Sequence, residues 1–277
     1  MPTGRLNFQV ETGWKWWLRR QKDFHEIVGD YRHVVCSVIR QRPMQGGMGA
    51  LPLGTGFFVS RDIFITCDHV MNSPNAPHQP GDSYLLVASL TGNTGRIYPL
   101  QNPQIGQEIN LFPNLDLAVL RVPGTPNDQP YAPLEYGDVH EGHGIGVVGY
   151  PLPALQVVSG NLAFNSVIYR AGRGCVTARY NANDGALQNV PCIEVNFLFV
   201  PGNSGGPVFS DKTGRVLGFV RGYRATKISE TLATATMIPQ LPLGFANQYV
   251  DSLSAVYSIA VKLDFVRATL EGFGVTL

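Results

Sequence analysis

The chain has 277 residues, a formal net charge of +1 and only 15% charged residues. Near-neutrality removes the electrostatic case for a nucleic-acid partner, and no run of about 18 apolar residues exists to span a bilayer. Its 31 Gly and 20 Pro are spread between short apolar runs, the texture of strands joined by turns, so the length is expected to form one large all-β unit or two small domains.

The N-terminus, Met1 to Asn7, lacks the apolar core of a signal peptide, so the chain is expected to stay in the cytoplasm where it is made. Residues 14–28 carry a helix-like spacing of Trp17, Phe24, Ile27 and Val28 among Arg and Lys. Such a basic amphipathic helix is expected to pack on its own domain, a partner protein or membrane surface being the alternative.

Phe57-Phe58-Val59-Ser60 and Ile63-Phe64-Ile65-Thr66 read as two strands joined by Arg61-Asp62. The second runs into Cys67-Asp68-His69-Val70 and places His69 at a strand end. Asp68 is a rival partner for His69, but on an extended segment neighbouring side chains point to opposite faces. Residues 71–82 read as a surface loop beside His69. The run Leu115-Asp116-Leu117-Ala118-Val119-Leu120 carries a single carboxylate near its start. An acid is costly to bury there unless something needs it, and holding an imidazole is one such need.

Gly202-Asn203-Ser204-Gly205-Gly206-Pro207 is the most informative segment. A serine between glycines suits a turn that presents a hydroxyl and lets backbone N–H groups converge beside it. Val195 to Val200 before it and Val208-Phe209 after it read as strands, which puts Ser204 on a tight loop held by a rigid scaffold. Serine is a weak nucleophile that needs a base and an oriented partner for that base, and His69 and Asp116 can supply them.

The four cysteines, at positions 36, 67, 175 and 192, show no CxxC spacing and argue against a zinc site, and no metal is expected. Reduced, mostly buried thiols are expected, with a Cys175–Cys192 bridge as the alternative. Cys67 is expected to be a core residue. His140 and His143 lack a third ligand and read as part of a turn. Residues 223–254 read as a long insertion, a second candidate for partner binding or for shaping the cleft. Asp264 is expected to cap a C-terminal helix, with Val266 and Leu270 facing inward and Gly272 ending it.

Taken together these segments resemble the trypsin-like, chymotrypsin-fold serine proteases, most closely the HtrA/Deg-type protease domain without a PDZ domain. Gly54-Thr55-Gly56-Phe57 through His69-Val70 is similar to the histidine segment of that family. Asp116 to Val122 is similar to its aspartate segment, Gly142 to Pro151 to the opening strand of its second barrel, and Pro201 to Pro207 to its serine loop. The chain order histidine, aspartate, serine is the one that fold uses.

The resemblance implies an all-β, two-barrel chymotrypsin-like fold with an N-terminal helical extension and a short C-terminal helix. The implied division is 1–32 as extension, 33–135 as first barrel with His69 and Asp116, and 136–277 as second barrel with Ser204. It implies a serine endopeptidase acting on protein or peptide substrates without a cofactor, with the N–H groups of Gly202 and Ser204 as oxyanion hole. Leu198 is expected at the base of the specificity pocket, with Arg221, Gly222 and Tyr223 along the opposite wall. A catalytically silent scaffold serving as a binding module is the alternative.

Overall fold

The computed structural model describes residues 22–44, 47–72, 77–89, 95–100, 103–151, 155–158, 161–164, 168–183, 187–227 and 254–276. Most of the helix expected at 14–28, including Trp17, and most of the 223–254 segment lie outside the described residues.

The described residues open with helix α1 (Phe24–Tyr31), started by a capping box in which the Asp23 carboxylate accepts from the Glu26 N–H and the Glu26 side chain accepts from the Asp23 N–H. Seven strands follow: β1 (Val35–Met44), β2 (Gly47–Phe58), β3 (Ile63–Thr66), β4 (Ser83–Ser89), β5 (Gly95–Leu100), β6 (Ile109–Phe112) and β7 (Leu117–Arg121). They form one antiparallel sheet in the order β5-β4-β1-β2-β3-β7-β6, and the single-turn helix α2 (Asp68–Met71) follows β3. Next come β8 (Gly144–Gly149), the hairpin β9 (Leu155–Val158) and β10 (Asn161–Phe164), β11 (Arg170–Ala182), β12 (Val190–Val195), β13 (Pro207–Ser210), β14 (Val216–Lys227) and β15 (Ser254–Lys262). Of these, β11-β12-β15-β14-β13-β8 close into a barrel. Helix α3 (Arg267–Gly272) ends the fold. This is the chymotrypsin-like, all-β architecture.

The two bodies share buried side chains. Along β13 the two-residue period of a strand sends Val208 into the core of the closed barrel and Phe209 into the cluster that continues under the first sheet. Helix α1 closes this seam: Tyr31 stacks on Phe209 at 4.6 Å, and its hydroxyl donates to the Gly214 carbonyl at 2.8 Å. Ile27 is fully buried. The described part of the helix therefore packs on its own chain.

Three local readings are corrected. The segment before the serine loop is not one strand: β12 ends at Val195, and 196–200 leave the sheet. Asp264 does not cap α3. The chain first makes a 3-10 turn over Leu263–Val266, whose three-residue period buries Leu263 and Val266, and α3 begins without a side-chain cap. The residues around His69 are helical, not extended. The four cysteines carry free thiols, so Cys175 and Cys192 are unbridged. No helix among the described residues is long and apolar enough to cross a membrane.

Candidate active site

Strand pairing brings His69 to Asp116. Strands β3 and β7 are neighbours, with Thr66 opposite Ala118, so the end of one lies beside the start of the other. Past Thr66 the chain turns once as α2, anchored by buried Val70 and Met71, and His69 sits in that turn. Before β7, a 3-10 turn over Pro113–Leu115 delivers Asp116 with φ 49°, a left-handed conformation that Asp tolerates better than most residues. The imidazole Nδ1 then lies 2.9 and 3.0 Å from the two oxygens of Asp116, and the His69 main-chain N–H donates to Oδ1 at 3.2 Å. A carboxylate only accepts, so Nδ1 carries a proton, and in the neutral ring Nε2 is the acceptor. The Asp116 side chain is 9% exposed and that of His69 41%, so the ring is gripped from inside and open on the cleft.

Asp68, the rival partner, makes no hydrogen bond to the ring. Burial and the Asp116 charge push its carboxyl above the usual carboxylate range, and its Oδ1 is buried without a partner. The Cys67 thiol is buried and donates to the Val220 carbonyl at 3.1 Å. Burial first, then the Asp116 charge, raise its pKa well above the ordinary thiol value, so it remains a neutral thiol. Cys67, His69 and Asp116 lie close enough to suggest a metal cluster. The protonated thiol and the Nδ1–H directed at Asp116 fit a hydrogen-bonded pair better.

Ser204 lines the same cleft as His69. Its loop is a tight turn: the Asn203 N–H donates to the Val200 carbonyl at 3.0 Å, Pro201 takes the second position and Gly202 the third with φ 96°. That is a type II turn, whose third residue needs a positive φ and hence glycine. Gly205, with φ 85°, lies against the Thr55 carbonyl and the Thr66 hydroxyl, where a Cβ would collide. Among the described residues the N–H groups of Gly202 and Ser204 donate to no protein acceptor, which leaves both for a ligand. The Ser204 hydroxyl donates to the Arg221 carbonyl at 3.2 Å.

The loop is held from the first sheet. Thr55 on β2 donates its N–H to the Ser204 carbonyl at 2.9 Å and its hydroxyl to the Gly202 carbonyl at 2.6 Å. The same hydroxyl accepts from the Tyr150 N–H at 2.9 Å. Within the Gly54-Thr55-Gly56-Phe57 motif the sequence assigns Thr55 no role. The signal was a hydroxyl in an otherwise apolar strand.

Of the expected substrate contacts, Arg221 and Gly222 line the cleft, together with Leu53, Phe199, Val200 and Val220. Leu198 does not: the residue is 55% exposed, because the chain leaves the sheet after Val195 and the inward position passes to Phe199. Tyr223 continues β14 opposite Ser258, and its side chain lies outside the described residues.

By overall structure the chain is similar to AlgW, an HtrA-type protease solved with a tripeptide, at TM-score 0.55 and 14% identity over 91% of this chain and 63% of that one. It is likewise similar to the active form of the Rv3671c protease from M. tuberculosis, at TM-score 0.54 and 19% identity over 91% and 85%. At such identities the likeness speaks for the fold alone, and the chain spans less than two-thirds of the AlgW structure. Comparison with curated protein sequences found no match. A family model for the trypsin-like peptidase domain matches residues 54–219, a span that contains the His69–Asp116 pair and the Ser204 loop. The chain belongs to the trypsin-like peptidase domain family.

Proposed function

We propose that the protein is a serine endopeptidase in which His69, Asp116 and Ser204 form the catalytic triad. The observation that carries the reading is the His69–Asp116 pair, closed at 2.9 Å, facing the same cleft as Ser204. Ser204 Oγ swings from the Arg221 carbonyl to His69 Nε2, gives up its proton there and attacks the substrate carbonyl. His69 passes the proton to the leaving amine, and Asp116 keeps the ring oriented and stabilises its cation. The Gly202 and Ser204 N–H groups meet the oxyanion, and each such donor typically contributes about 3–4 kcal/mol in the transition state. An extended peptide lies along Arg221, Gly222 and Tyr223 and adds a strand there.

One observation favours a second reading. The Ser204 hydroxyl is engaged by Arg221 rather than by His69, which also suits a silent scaffold that binds peptide without cutting it. Labelling with an aryl phosphonate followed by peptide mapping separates the two. Adduct at Ser204, peptide turnover by the wild-type protein and loss of both in Ser204→Ala are expected. Turnover that persists at the wild-type rate in Ser204→Ala excludes the triad, and peptide binding with neither label nor turnover leaves the scaffold.

A further inference from the structure

Arg221 is the residue on which several features of the cleft converge. Along β14 and β15 the pairing runs Val220 with Ala260, then Gly222 with Ile259, so Arg221 is the extra residue of a β-bulge. A bulge breaks the alternation of its strand and re-aims a side chain. Here the side chain reaches Asp116, with Nε 3.5 Å from Oδ2. The main chain of the same residue stays on the serine side, where its carbonyl accepts from Ser204 at 3.2 Å. The flanking Val220 is fixed to the serine loop in both directions: its carbonyl accepts from the Gly205 N–H at 2.7 Å, and its N–H donates to Gly206 at 2.8 Å.

The Asp116 carboxylate sits in a mixed field. Facing it are His69 and Asp68 from α2, the Cys67 thiol at the start of that helix and Arg221 from β14. Without the guanidinium, two acidic groups would confront one imidazole. A carboxylate that lacks a second counter-ion also favours the protonated ring more strongly, which slows its return to a base.

We infer that Arg221 is a positioning residue of the triad, its guanidinium fixing the rotation of the Asp116 carboxylate and offsetting part of its charge. The inference rests on the triad reading above. It assigns the Arg221 side chain to the catalytic pair and only its main chain to the substrate.

The test compares Arg221→Gln, Arg221→Met and Arg221→Lys on a fluorogenic peptide without acidic residues, across roughly pH 5 to 9. Expected for the Gln and Met variants are kcat lower by about tenfold or more, KM within about twofold, and an acid limb of the kcat profile displaced to higher pH. Arg221→Lys keeps the charge and is expected to restore the limb. A loss confined to KM overturns the inference, because it makes the side chain a substrate contact. So do profiles of the Gln and Met variants that superpose on that of the wild type. A second measurement needs no turnover: NMR titration of the His69 ring in Ser204→Ala, with and without Arg221→Gln. A higher midpoint in the double variant supports the coupling, and an unchanged midpoint overturns it. If the wild-type protein takes no phosphonate at Ser204, the functional reading fails, and the Arg221 coupling is then decided by this titration alone.

Discussion

Thr55 and Gly202 are joined by a hydrogen bond of 2.6 Å, from a hydroxyl on the first sheet to a carbonyl on the serine loop of the second barrel. This bond ties the body that carries His69 and Asp116 to the turn that carries Ser204. The Thr55 hydroxyl also accepts from the Tyr150 N–H.

Thr55→Val is therefore expected to leave a carbonyl and an N–H unpaired in a buried place, at about 2–3 kcal/mol of stability. Loosening of Gly202 is expected to lower kcat by roughly tenfold or more with little change in KM, since the oxyanion donors act mainly in the transition state. Thr55→Ser keeps the hydroxyl and is expected to stay within about 1 kcal/mol of the wild type. Urea unfolding and steady-state kinetics on both variants check this, and a Val variant with wild-type kcat contradicts the clamp.

Asn203 is buried at 6% exposure, with its side-chain oxygen lacking a hydrogen-bond partner. No charge waits there for a counter-ion, so activity is expected without cleavage in the segment before residue 33. Asn203→Asp puts an unpaired carboxylate at that place, and a loss of about 3 kcal/mol at neutral pH is expected. Burial raises the pKa of such a group, so the loss is expected to fade as pH falls and the acid is neutralised. Stability curves for the variant at acid and neutral pH read this directly. A variant as stable as the wild type at neutral pH counts against it.

Asp82 gives the wild-type protein an acid-sensitive element of its own. Burial alone would raise its pKa, but the Arg42 guanidinium, at 2.6 and 2.7 Å, and the Gln79 N–H hold it below the ordinary value of 3.8. A depressed folded-state value means stability that is present above the unfolded value and lost as pH falls through the folded one. The stability gap between wild type and Asp82→Asn is thus expected to be widest at neutral pH and to close below about pH 4. Chemical unfolding at stepped pH checks it, and a gap independent of pH refutes it.

Among the described residues no carboxylate lines the cleft beside Ser204. Leu53, Phe199, Val200 and Val220 are apolar, and the charged neighbour is Arg221. A buried lysine or arginine side chain would find no counter-ion there. Cleavage is expected after small or medium apolar residues, favoured over Lys or Arg by roughly a hundredfold in kcat/KM. A peptide-library profile dominated by Lys or Arg at the cut site rules this out.

The triad candidates were legible because each sits in a motif with local chemical meaning. Ser204 lies among glycines that only a strained turn requires, Asp116 is a lone acid at the head of an apolar strand, and His69 follows another. Strand identity was legible for the same reason: the run Phe57 to Ser60 overlaps the end of β2 at Phe58, Ile63 to Thr66 is β3, and buried Leu117 to Leu120 make up most of β7 within the run Leu115 to Val122.

What the sequence left undetermined depends on contacts between segments far apart in the chain. The helical turn at His69, where the sequence suggests an extended segment after the strand Ile63 to Thr66, is fixed by Val70 and Met71 finding a core. Leu198 and Phe199 exchanged roles because the end of β12, and hence the inward side, is set by its pairing with β15 and not by its own residues. The bulge that turns Arg221 toward Asp116 exists only in the register between β14 and β15, and the Thr55 clamp joins residues 147 positions apart. Local composition specified which residues could carry the chemistry. Pairing register and packing between the two bodies decided which of them meet, because neither quantity is encoded in any single window of the chain.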